Sequence, residues 1–174
     1  VILNPSASHF AFGKHEVRER FVRDGSRAFG CCYVYANLCG NEAGRAIYDG
    51  GALVAAGGRM LAAGPRFGFS EASVVSAVAD VDVLRSQRAA VHSLSAELSG
   101  RQSGRIIPVS ARPADSGAKE SDKAVAVIGD ADRQDWTEYD EFVHAEALGL
   151  HDYLRKTRSR GFVVSMSGGA DSSA

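Results

Sequence analysis

The sequence predicts a mixed α/β fold in two parts that are joined by a long polar connection. Short apolar runs alternate with helical patterns in residues 1–98, and residues 99–138 are rich in Gly, Ser, Arg and Asp. Residues 139–174 contain a helical pattern, an apolar run and a glycine turn. The composition, 45% hydrophobic and 24% charged, is that of a globular protein, and 174 residues accommodate one domain or parts of two.

Residues 1–98 are expected to hold five strands of one sheet with a helix on its face. The helix covers residues 15–29, where apolar residues recur at helical spacing between charged ones. That apolar stripe comprises Val17, Phe21, Val22, Ala28 and Phe29. The strands are the apolar or β-branched runs at residues 1–4, 31–37, 50–55, 60–63 and 74–83. A polar turn precedes Ile47, and the pair Gly57-Gly58 is typical of a hairpin.

Two further helices are expected, one on each side of the polar connection. Asp82 is predicted to cap the first, which runs to about Val91. The second covers residues 139–160 and ends at Gly161. Its apolar side is formed by Phe142, Ala145, Leu148, Tyr153 and Leu154. Residues 99–138 form a longer connection than compact domains usually contain, which indicates an interdomain linker.

The last residues combine an apolar run, a glycine turn and a helix start. Residues 162–166 read FVVSM, which is typical of a buried strand, and SGGADSSA follows without the lysine of the common NTPase loop. Glycines let backbone amides approach an anion, and a helix N-terminus favours phosphate. The turn resembles the SGGxDS signature of the ATP pyrophosphatases, which split ATP to AMP and pyrophosphate. This implies ATP binding by Ser167, Gly168, Gly169, Asp171, Ser172 and Ser173. The alternative is a Gly-Ser turn before an ordinary capped helix.

The order of the parts resembles that of glutamine-dependent NAD synthetases, which fuse a nitrilase-type glutaminase to an ATP-pyrophosphatase synthetase. The segments that carry this resemblance are LNPSASHFAFGK, CCYVYANLCGNEAGRAIYDGGALV, VADVDVLRSQR and SGGADSS. They cover residues 1–92 and 139–174. The resemblance implies that residues 1–98 are the C-terminal half of a nitrilase-like (carbon-nitrogen hydrolase) αββα sandwich and residues 99–138 a linker. Residues 139–174 would supply the first helix and strand of a Rossmann-like ATP-pyrophosphatase domain.

The same resemblance implies a ligase of NAD biosynthesis. Glutamine would be hydrolysed in the first domain, and its ammonia would convert deamido-NAD to NAD while ATP gives AMP and pyrophosphate. The implied cofactors are ATP and Mg²⁺, with Asp171 as a metal ligand because a hard cation prefers carboxylate oxygen. The implied partners are glutamine, deamido-NAD and ATP, and the full-length protein is expected to be a homo-oligomer.

No catalytic residue is assigned within the chain. The nucleophilic cysteine of the nitrilase-like family, with its glutamate and lysine, is expected upstream of Val1. The chain begins in mid-strand without an initiator Met, so an internal piece of a longer protein is expected. Cys31 and Cys32 belong to a buried-type strand, where cysteine packs as a small apolar residue. Cys39 lies in a predicted turn with no base beside it.

Ser8 and Lys14 are the candidates for binding glutamine. The resemblance implies a serine and a basic residue in this loop at the substrate. A hydroxyl and a cation suit the head group and the carboxylate of an amino acid. The family often has an arginine where Lys14 stands, so a single ammonium replaces a bidentate group. The alternatives are a turn-capping serine and a solvated lysine. Asp49 and His9 are expected to be structural.

Charge and hydropathy set further expectations. A net charge of −1 gives no broad reason to expect nucleic acid as a partner, and the cations at 155–160 are expected at a solvated helix end. No apolar run approaches the roughly 20 residues that span a bilayer. We therefore expect no membrane partner, and we expect a cytoplasmic location. Three cysteines indicate neither a disulfide framework nor a zinc site.

Two other functions stay open at this point. Another ATP pyrophosphatase, such as a GMP synthetase or a tRNA-thiolating enzyme, would share the final turn, although those enzymes lack a nitrilase-like domain in front. A chain without its nucleophile could also be catalytically inactive and serve in binding. Glutaminase activity of the purified chain would show that a nucleophile lies within it.

Overall fold

A four-stranded sheet, a separate hairpin and a long helix are the main features of the computed structural model, which describes residues 1–91, 108 and 136–173. The predicted linker, residues 99–138, lies almost wholly outside these described residues. The elements in chain order are β1 (Ile2–Ser6), α1 (Lys14–Ala28), β2 (Cys32–Asn37), β3 (Cys39–Glu42), β4 (Ala46–Asp49), β5 (Ala52–Ala56), β6 (Arg59–Ala63), α2 (Val81–Val91), α3 (Glu138–Thr157) and α4 (Ala170–Ser173).

The four-stranded sheet has the strand order β1-β2-β5-β6. β1 runs parallel to β2 with α1 as the crossover, because parallel neighbours need a connection longer than a turn. β2, β5 and β6 are antiparallel to one another. Gly57 and Gly58 turn the chain between β5 and β6 with φ of 56° and 88°, a left-handed conformation that glycine adopts without strain. These four strands and the hairpin confirm the prediction to within two residues at each end.

Each face of this sheet has its own apolar core. The core beneath α1 comprises Val22, Tyr33, Tyr35, Leu53 and Ala55. The core on the other face, beneath α2, comprises Cys32, Val54, Ala62 and Leu84. Because successive strand residues point to opposite faces, the two sets alternate along β2 and β5. The predicted helix on the face of the sheet is therefore confirmed.

The buried side of α1 differs from the predicted apolar stripe. Arg18, Val22 and Ser26, spaced by four residues, are the ones buried against the sheet. Val17 and Phe21 of the predicted stripe are each 58% exposed. Hydrophobicity alone misassigns this face, because the arginine and the serine have polar partners inside the fold. The Ser26 hydroxyl, for example, accepts a hydrogen bond from the β5–β6 turn at 2.9 Å.

The strand predicted at residues 74–83 is wrong. Residues 72–80 have no regular secondary structure, and α2 begins immediately after them. The alternation that suggested a strand has another cause. Val75, Ala77 and Ala79 pack against the second face of the sheet, so the segment lies across the strands without pairing with them.

Asp80, rather than the predicted Asp82, caps α2. Asp80 Oδ1 accepts hydrogen bonds from the amides of Asp82 and Val83 at 2.9 and 3.0 Å. A side-chain oxygen just before the first helical residue satisfies amides that have no partner within the helix. The prediction of a helix in this region is confirmed, with its cap placed two residues too late in the sequence.

The hairpin β3–β4 occupies the region predicted as a polar turn. Residues 39–42 pair with residues 46–49 in antiparallel register. Ala43 and Gly44 in its loop have φ of 48° and 68°, the left-handed region that glycine tolerates and alanine rarely adopts. The sequence of β3, CGNE, is mostly polar, so the pattern of apolar runs does not indicate this strand.

α3 packs across the β3–β4 hairpin. A capping box begins the helix: the Asp140 amide donates to Thr137 Oγ1 at 3.3 Å, and the Thr137 amide donates to Asp140 Oδ2 at 2.9 Å. Ala145 and Leu148, each 2% exposed, pack with Phe67 beneath the helix. Together they form the third apolar core of the described residues.

The buried side of α3 is polar at both ends. Ala145 and Leu148 of the predicted apolar side are buried, but Phe142 and Tyr153 are 52% and 43% exposed. Glu141 and Asp152 are buried instead, at 8% and 3% exposure. Charged residues are buried at this level only when they are paired, so both carboxylates require partners in the fold.

The helix stop and the strand predicted after α3 are both wrong. α3 ends at Thr157, and Arg158 with φ of 55° is the C-cap that Gly161 was expected to supply. Residues 159–167 have no regular secondary structure, and Val163 is 100% exposed. A strand needs a neighbour for its N–H and C=O groups, and no strand of the described residues pairs with this segment. The predicted helix start is confirmed as α4.

Asp152 joins α3 to the hairpin through a buried carboxylate. Oδ2 accepts hydrogen bonds from the Asn41 amide at 2.7 Å and from Lys156 Nζ at 2.6 Å, and Oδ1 accepts from Arg155 Nη2 at 2.7 Å. A Cβ on Gly40 would lie 2.5 Å from Oδ2, so the approach requires glycine there. Burial alone raises the pKa of Asp152, but these hydrogen bonds outweigh it and lower the pKa to about 2.

Asp152→Asn is expected to lower the free energy of unfolding at neutral pH. A carboxyl with a pKa of 3.8 when unfolded and about 2 when folded stabilises the folded state by roughly 2 kcal/mol. Because the folded pKa is the lower one, this stabilisation is complete above the unfolded pKa and is lost as the pH falls through the folded pKa. The difference between wild type and variant, measured by urea unfolding, should therefore shrink from about pH 5 to about pH 2.

Asp24→Asn is the matched control, because Asp24 is exposed on α1. We expect it to change the free energy of unfolding by less than about 0.5 kcal/mol at each pH. A difference for Asp152→Asn that stays constant between the two pH values would contradict the role given to its ionised carboxylate.

Candidate functional site

The loop between β1 and α1 carries Ser8, one of the two residues predicted to bind glutamine. The Ser8 amide donates to Asn37 Oδ1 at 2.8 Å, and the Ser8 carbonyl accepts from Asn37 Nδ2 at 2.9 Å. Arg18 Nη2 donates to the carbonyls of Ser8 and His9, at 3.0 Å each. Arg18 Nε donates to Ser8 Oγ at 3.2 Å. Two side chains, one from β2 and one from α1, therefore fix both the backbone and the hydroxyl of Ser8.

Arg18 is itself held by a buried carboxylate, Asp49 at the end of β4. Arg18 Nη1 lies 2.7 Å from Asp49 Oδ1 and 2.8 Å from Oδ2, and Asn37 Nδ2 donates to the same Oδ1 at 3.1 Å. Arg18 is 7% exposed and Asp49 1% exposed. Two charges removed from water in this way are tolerated only with close charged partners and further hydrogen bonds. Asp49 thus sets the orientation of the guanidinium that holds the Ser8 loop.

A second cation and a second anion extend this pair to α3. Arg66 Nε donates to Asp49 Oδ2 at 3.1 Å, and Arg66 Nη1 pairs with the carboxylate of Glu141. The Arg66 guanidinium also lies over the ring of Phe67, 4.7 Å from its centroid. We call Arg18, Asp49, Arg66 and Glu141 the ion-pair chain. Its formal charges cancel, and it connects the Ser8 loop to α3 through buried groups.

The sequence patterns predict a turn carboxylate at Asp49 and no role for Arg66 or Glu141. In the structure the carboxylate of Asp49 accepts hydrogen bonds from Arg18, Arg66 and Asn37. One signal was available in the sequence. Arg18 stands four residues before Val22, which is completely buried, so a cation occupies a core position of the helix. A cation at a core position implies a buried anion nearby.

Lys14, the other residue predicted to bind glutamine, begins α1 at the far end of the same loop. It is half-buried, and its Nζ lies 3.4 Å from His9 Nε2. The N-cap residue, Gly13, provides no side-chain hydrogen bond. The helix dipole opposes a cation in the first turn, so Lys14 does not stabilise α1. The structure therefore places both predicted residues at the two ends of one loop, and the Lys14 amide donates to the Ala11 carbonyl within that loop at 3.2 Å.

The described cysteines are free thiols without the features of a nucleophile. Burial raises the pKa of the Cys32 thiol, whose residue is 9% exposed. Cys39 is exposed as a residue, yet its Sγ lies 3.4 Å from Gly68 O, and desolvation of the thiol raises its pKa too. Cys39 belongs to β3, not to the predicted turn. Raised pKa values leave little thiolate at neutral pH, which supports a packing role.

The turn predicted to bind ATP has the backbone that its glycines suggest. Gly168 has φ of 80°, and the Gly169 amide donates to Ser167 Oγ at 3.4 Å. A Cβ on Gly168 would meet no described atom within 4 Å, so the positive φ, not crowding, favours glycine. α4 follows directly and contains Ser173. The side chains of Asp171 and Ser172 lie outside the described part, and their predicted roles stay predictions.

An open cleft of about 580 Å³ lies between the β3–β4 hairpin and α3. Its described lining includes His9, Phe10, Arg45, Tyr153 and Phe162. Among the described side chains, Ser8, Lys14, Ser167 and Ser173 of the predicted sites do not belong to this lining. The cleft therefore does not coincide with either predicted site.

Residues 1–91, 108 and 136–173 contain neither a group of side chains suited to a metal ion nor a helix suited to a membrane. In these ranges no three His, Cys, Asp or Glu side chains are grouped so that they could hold a metal ion. None of the helices in the same ranges is both long enough and apolar enough to cross a membrane.

The fold and the site together define a mixed α/β segment in which buried ion pairs support a loop after a parallel strand. No family model matches the chain. Over its full length the chain is 32% identical to the glutamine-dependent NAD(+) synthetase of Oryza sativa subsp. indica and covers 23% of that protein. It is 33% identical to the glutamine-dependent NAD(+) synthetase of Saccharomyces cerevisiae and covers 24% of it.

A solved structure agrees with these sequence matches. The crystal structure of a glutamine-dependent NAD(+) synthetase from Cytophaga hutchinsonii matches 98% of this chain with a TM-score of 0.60 and 38% identity, and the match covers 20% of that protein. The resemblance to the glutamine-dependent NAD(+) synthetases is confirmed: the whole chain is homologous to a segment of those proteins. The chain spans about a quarter of the length of the curated relatives it matches.

Cys32 is expected to resist alkylation in the folded chain, because burial and a raised pKa both reduce the accessible thiolate. Iodoacetamide labelling at neutral pH, followed by mass spectrometry, should show Cys32 reacting at least about tenfold more slowly than in the chain unfolded in urea. The urea sample is the control, in which Cys31, Cys32 and Cys39 should react at similar rates. Rapid labelling of both Cys31 and Cys32 in the folded chain would show that the packing role is wrong.

Proposed function

We propose that this chain is part of an enzyme that makes NAD from deamido-NAD, with nitrogen from glutamine and energy from ATP. The observation that carries the proposal is the similarity of the whole chain, with both its parts in order, to glutamine-dependent NAD(+) synthetases. Residues 1–98 would belong to the nitrilase-like glutaminase domain and residues 99–138 to a linker. Residues 139–174 would begin the ATP-pyrophosphatase domain.

Ser8 and Lys14 would hold the glutamine substrate. Because Ser8 Oγ already accepts a hydrogen bond from Arg18, its own proton is available to donate to the amino acid. Lys14 supplies a cation for the carboxylate at the N-terminus of α1, where the helix dipole also favours an anion. Ser8 is fixed by Asn37 and Arg18 before any substrate arrives, which reduces the entropy lost on binding.

ATP would bind with its phosphates against the turn that contains Gly168. The positive φ of Gly168 supports this, because it turns the chain so that successive amides can face an anion. Mg²⁺ on the phosphates would neutralise their charge and favour the departure of pyrophosphate. Asp171 is the residue proposed to hold that ion, since Mg²⁺ takes carboxylate oxygen together with phosphate oxygens and water.

Another ATP pyrophosphatase remains the alternative, because the final turn alone would suit such an enzyme. The similarity to NAD(+) synthetases over residues 1–91, well before that turn, favours the first proposal. The second alternative is an inactive chain. The raised pKa values of the Cys32 and Cys39 thiols fit that alternative as well, unless another part of the full-length protein supplies the nucleophile. The cytoplasmic location, the homo-oligomer and the absence of nucleic-acid and membrane partners stay predictions from the sequence.

The function is tested in the full-length protein that contains this chain, by measuring NAD formed from deamido-NAD, ATP and Mg²⁺ with either glutamine or ammonia. Asp171→Asn is expected to lower synthesis with ammonia at least about tenfold, because it removes a charged ligand from a hard cation. Glutamine hydrolysis, measured as glutamate release, should fall much less. Gly168→Val should act in the same direction, because valine at φ of 80° is strained.

Asp82→Asn, an exposed position on α2, is the control and should leave both activities unchanged. Full synthesis with ammonia in Asp171→Asn would contradict the role of this turn in ATP binding. A wild-type protein that forms no NAD from either nitrogen source would overturn the proposed function itself.

A further inference from the structure

We infer that Arg18 is a positioning residue for the glutamine-binding loop, and that Asp49, Arg66 and Glu141 make this positioning depend on α3. The inference rests on the proposed function, because it assumes that Ser8 contacts glutamine. It assigns a role in substrate binding to the four residues of the ion-pair chain, none of which needs to touch the substrate.

Arg18 donates hydrogen bonds to three acceptors in the loop, a set that no other type of side chain could satisfy at once. Its Nη2 donates to two successive carbonyls, those of Ser8 and His9, while its Nε donates to the Ser8 hydroxyl. A planar guanidinium presents these donors in a rigid fork, whereas a lysine carries a single ammonium. The bond to Ser8 Oγ also decides the direction in which the hydroxyl proton is free to point. Arg18 therefore sets the group that would meet the substrate.

Asp49 transmits the position of Arg66 to Arg18, because both guanidiniums share its carboxylate. Oδ1 accepts from Arg18 Nη1 and Asn37 Nδ2, and Oδ2 accepts from Arg18 Nη1 and Arg66 Nε. Asp49 is 1% exposed, so described protein groups rather than bulk water fill its acceptor positions. If Arg66 moves toward the carboxylate, it competes directly with Arg18 for Oδ2.

Glu141 controls that competition from α3. Arg66 divides its charge between Asp49, through Nε, and Glu141, through Nη1. Without the charge of Glu141, Arg66 keeps Asp49 as its remaining ion-pair partner among the described residues and is drawn more strongly toward it. The expected result is a looser hold of Asp49 on Arg18 and, in turn, a less fixed Ser8 loop.

The ion-pair chain stands apart from the apolar cores of the sheet. The core residues Val22, Leu53 and Ala55 pack between α1 and the strands, whereas Arg18 directs all its hydrogen bonds to Asp49 and to the loop. Weakening the chain without removing its bulk should therefore disturb the loop more than the sheet. A change in the KM for glutamine, rather than a general loss of activity, is the signature of this arrangement.

The test uses the full-length protein with the substitutions Arg18→Lys and Glu141→Gln. The measurements are kcat and KM for glutamine, kcat and KM for ammonia-dependent synthesis, and the midpoint of thermal unfolding. Arg20→Lys on α1 and Glu138→Gln on α3 are the matched controls, since both positions are exposed. Each control makes the same chemical change on the same helix without touching the ion-pair chain.

Arg18→Lys should raise the KM for glutamine about tenfold, the scale expected for losing charge-assisted hydrogen bonds. Glu141→Gln should raise it in the same direction by about threefold, because it acts on Arg18 only through Arg66 and Asp49. In both variants the KM for ammonia should stay within about twofold of the control value, so the defect is confined to glutamine. The controls should match wild type in every measurement.

Several outcomes would overturn the inference. Equal losses with glutamine and ammonia, at unchanged KM, would show a merely structural role. If Arg18→Lys fails to fold, the isosteric Glu141→Gln decides alone, and an unchanged KM for glutamine in it would disprove the dependence on α3. If the wild-type protein uses glutamine and both variants have the wild-type KM for glutamine, this inference is wrong but the proposed function is not. A wild type that uses neither nitrogen source overturns the proposed function as well.

Discussion

The Asp49 carboxylate is the group on which the rest of the described structure depends. It is 1% exposed, and a charge so far from water must be surrounded by donors. Those donors come from three different segments: Arg18 on α1, Asn37 at the end of β2, and Arg66 after β6. Removing one partner of such a buried pair typically costs about 3–5 kcal/mol, because the other charge is left uncompensated. The position of α1 on the sheet, the course of the Ser8 loop and the exit of the chain from the sheet are therefore fixed together.

The same requirement explains how α3 is seated on the β3–β4 hairpin. Along its buried side the helix carries a carboxylate at Glu141, apolar residues at Ala145 and Leu148, and a second carboxylate at Asp152. The apolar centre supplies burial against Phe67, and each carboxylate fixes one end, through Arg66 and through the Asn41 amide. Apolar contact alone would let a helix slide or rotate. An ion pair at one end and a hydrogen bond to a carboxylate at the other restrict it to one register and one rotation.

The sequence predicted the elements that follow from the spacing of apolar residues. It did not predict the buried polar residues, whose burial depends on side chains distant in the sequence. The strands β1, β2, β5 and β6 and the helices α1 and α3 follow from runs of apolar residues and from Gly57-Gly58, because those signals are local. Ser8, Lys14 and the Gly168 turn came from resemblance, and the structure places Ser8 and Lys14 on one loop. Arg66 and Glu141 were missed because no local pattern marks them, and Arg18 because a pattern of apolar residues takes no account of a cation on the buried face. Contacts between residues far apart in the sequence keep them largely out of water. Arg66 and Glu141, for example, are separated by 75 positions.

In the proposed enzyme, orientation of the glutamine would depend on Ser8 more than on Lys14. An ammonium is a flexible point charge, so Lys14 attracts a carboxylate without defining its orientation, and its neighbour His9 is itself exposed. Ser8 has the opposite character: its amide, carbonyl and hydroxyl each have a partner within 3.2 Å, and both partner side chains also contact Asp49. Orientation must therefore come from the serine. A protein that relies on one hydroxyl for orientation needs that hydroxyl held rigidly, and a buried, charge-neutral group of four ionised side chains provides rigidity that a solvent-exposed loop could not supply by itself.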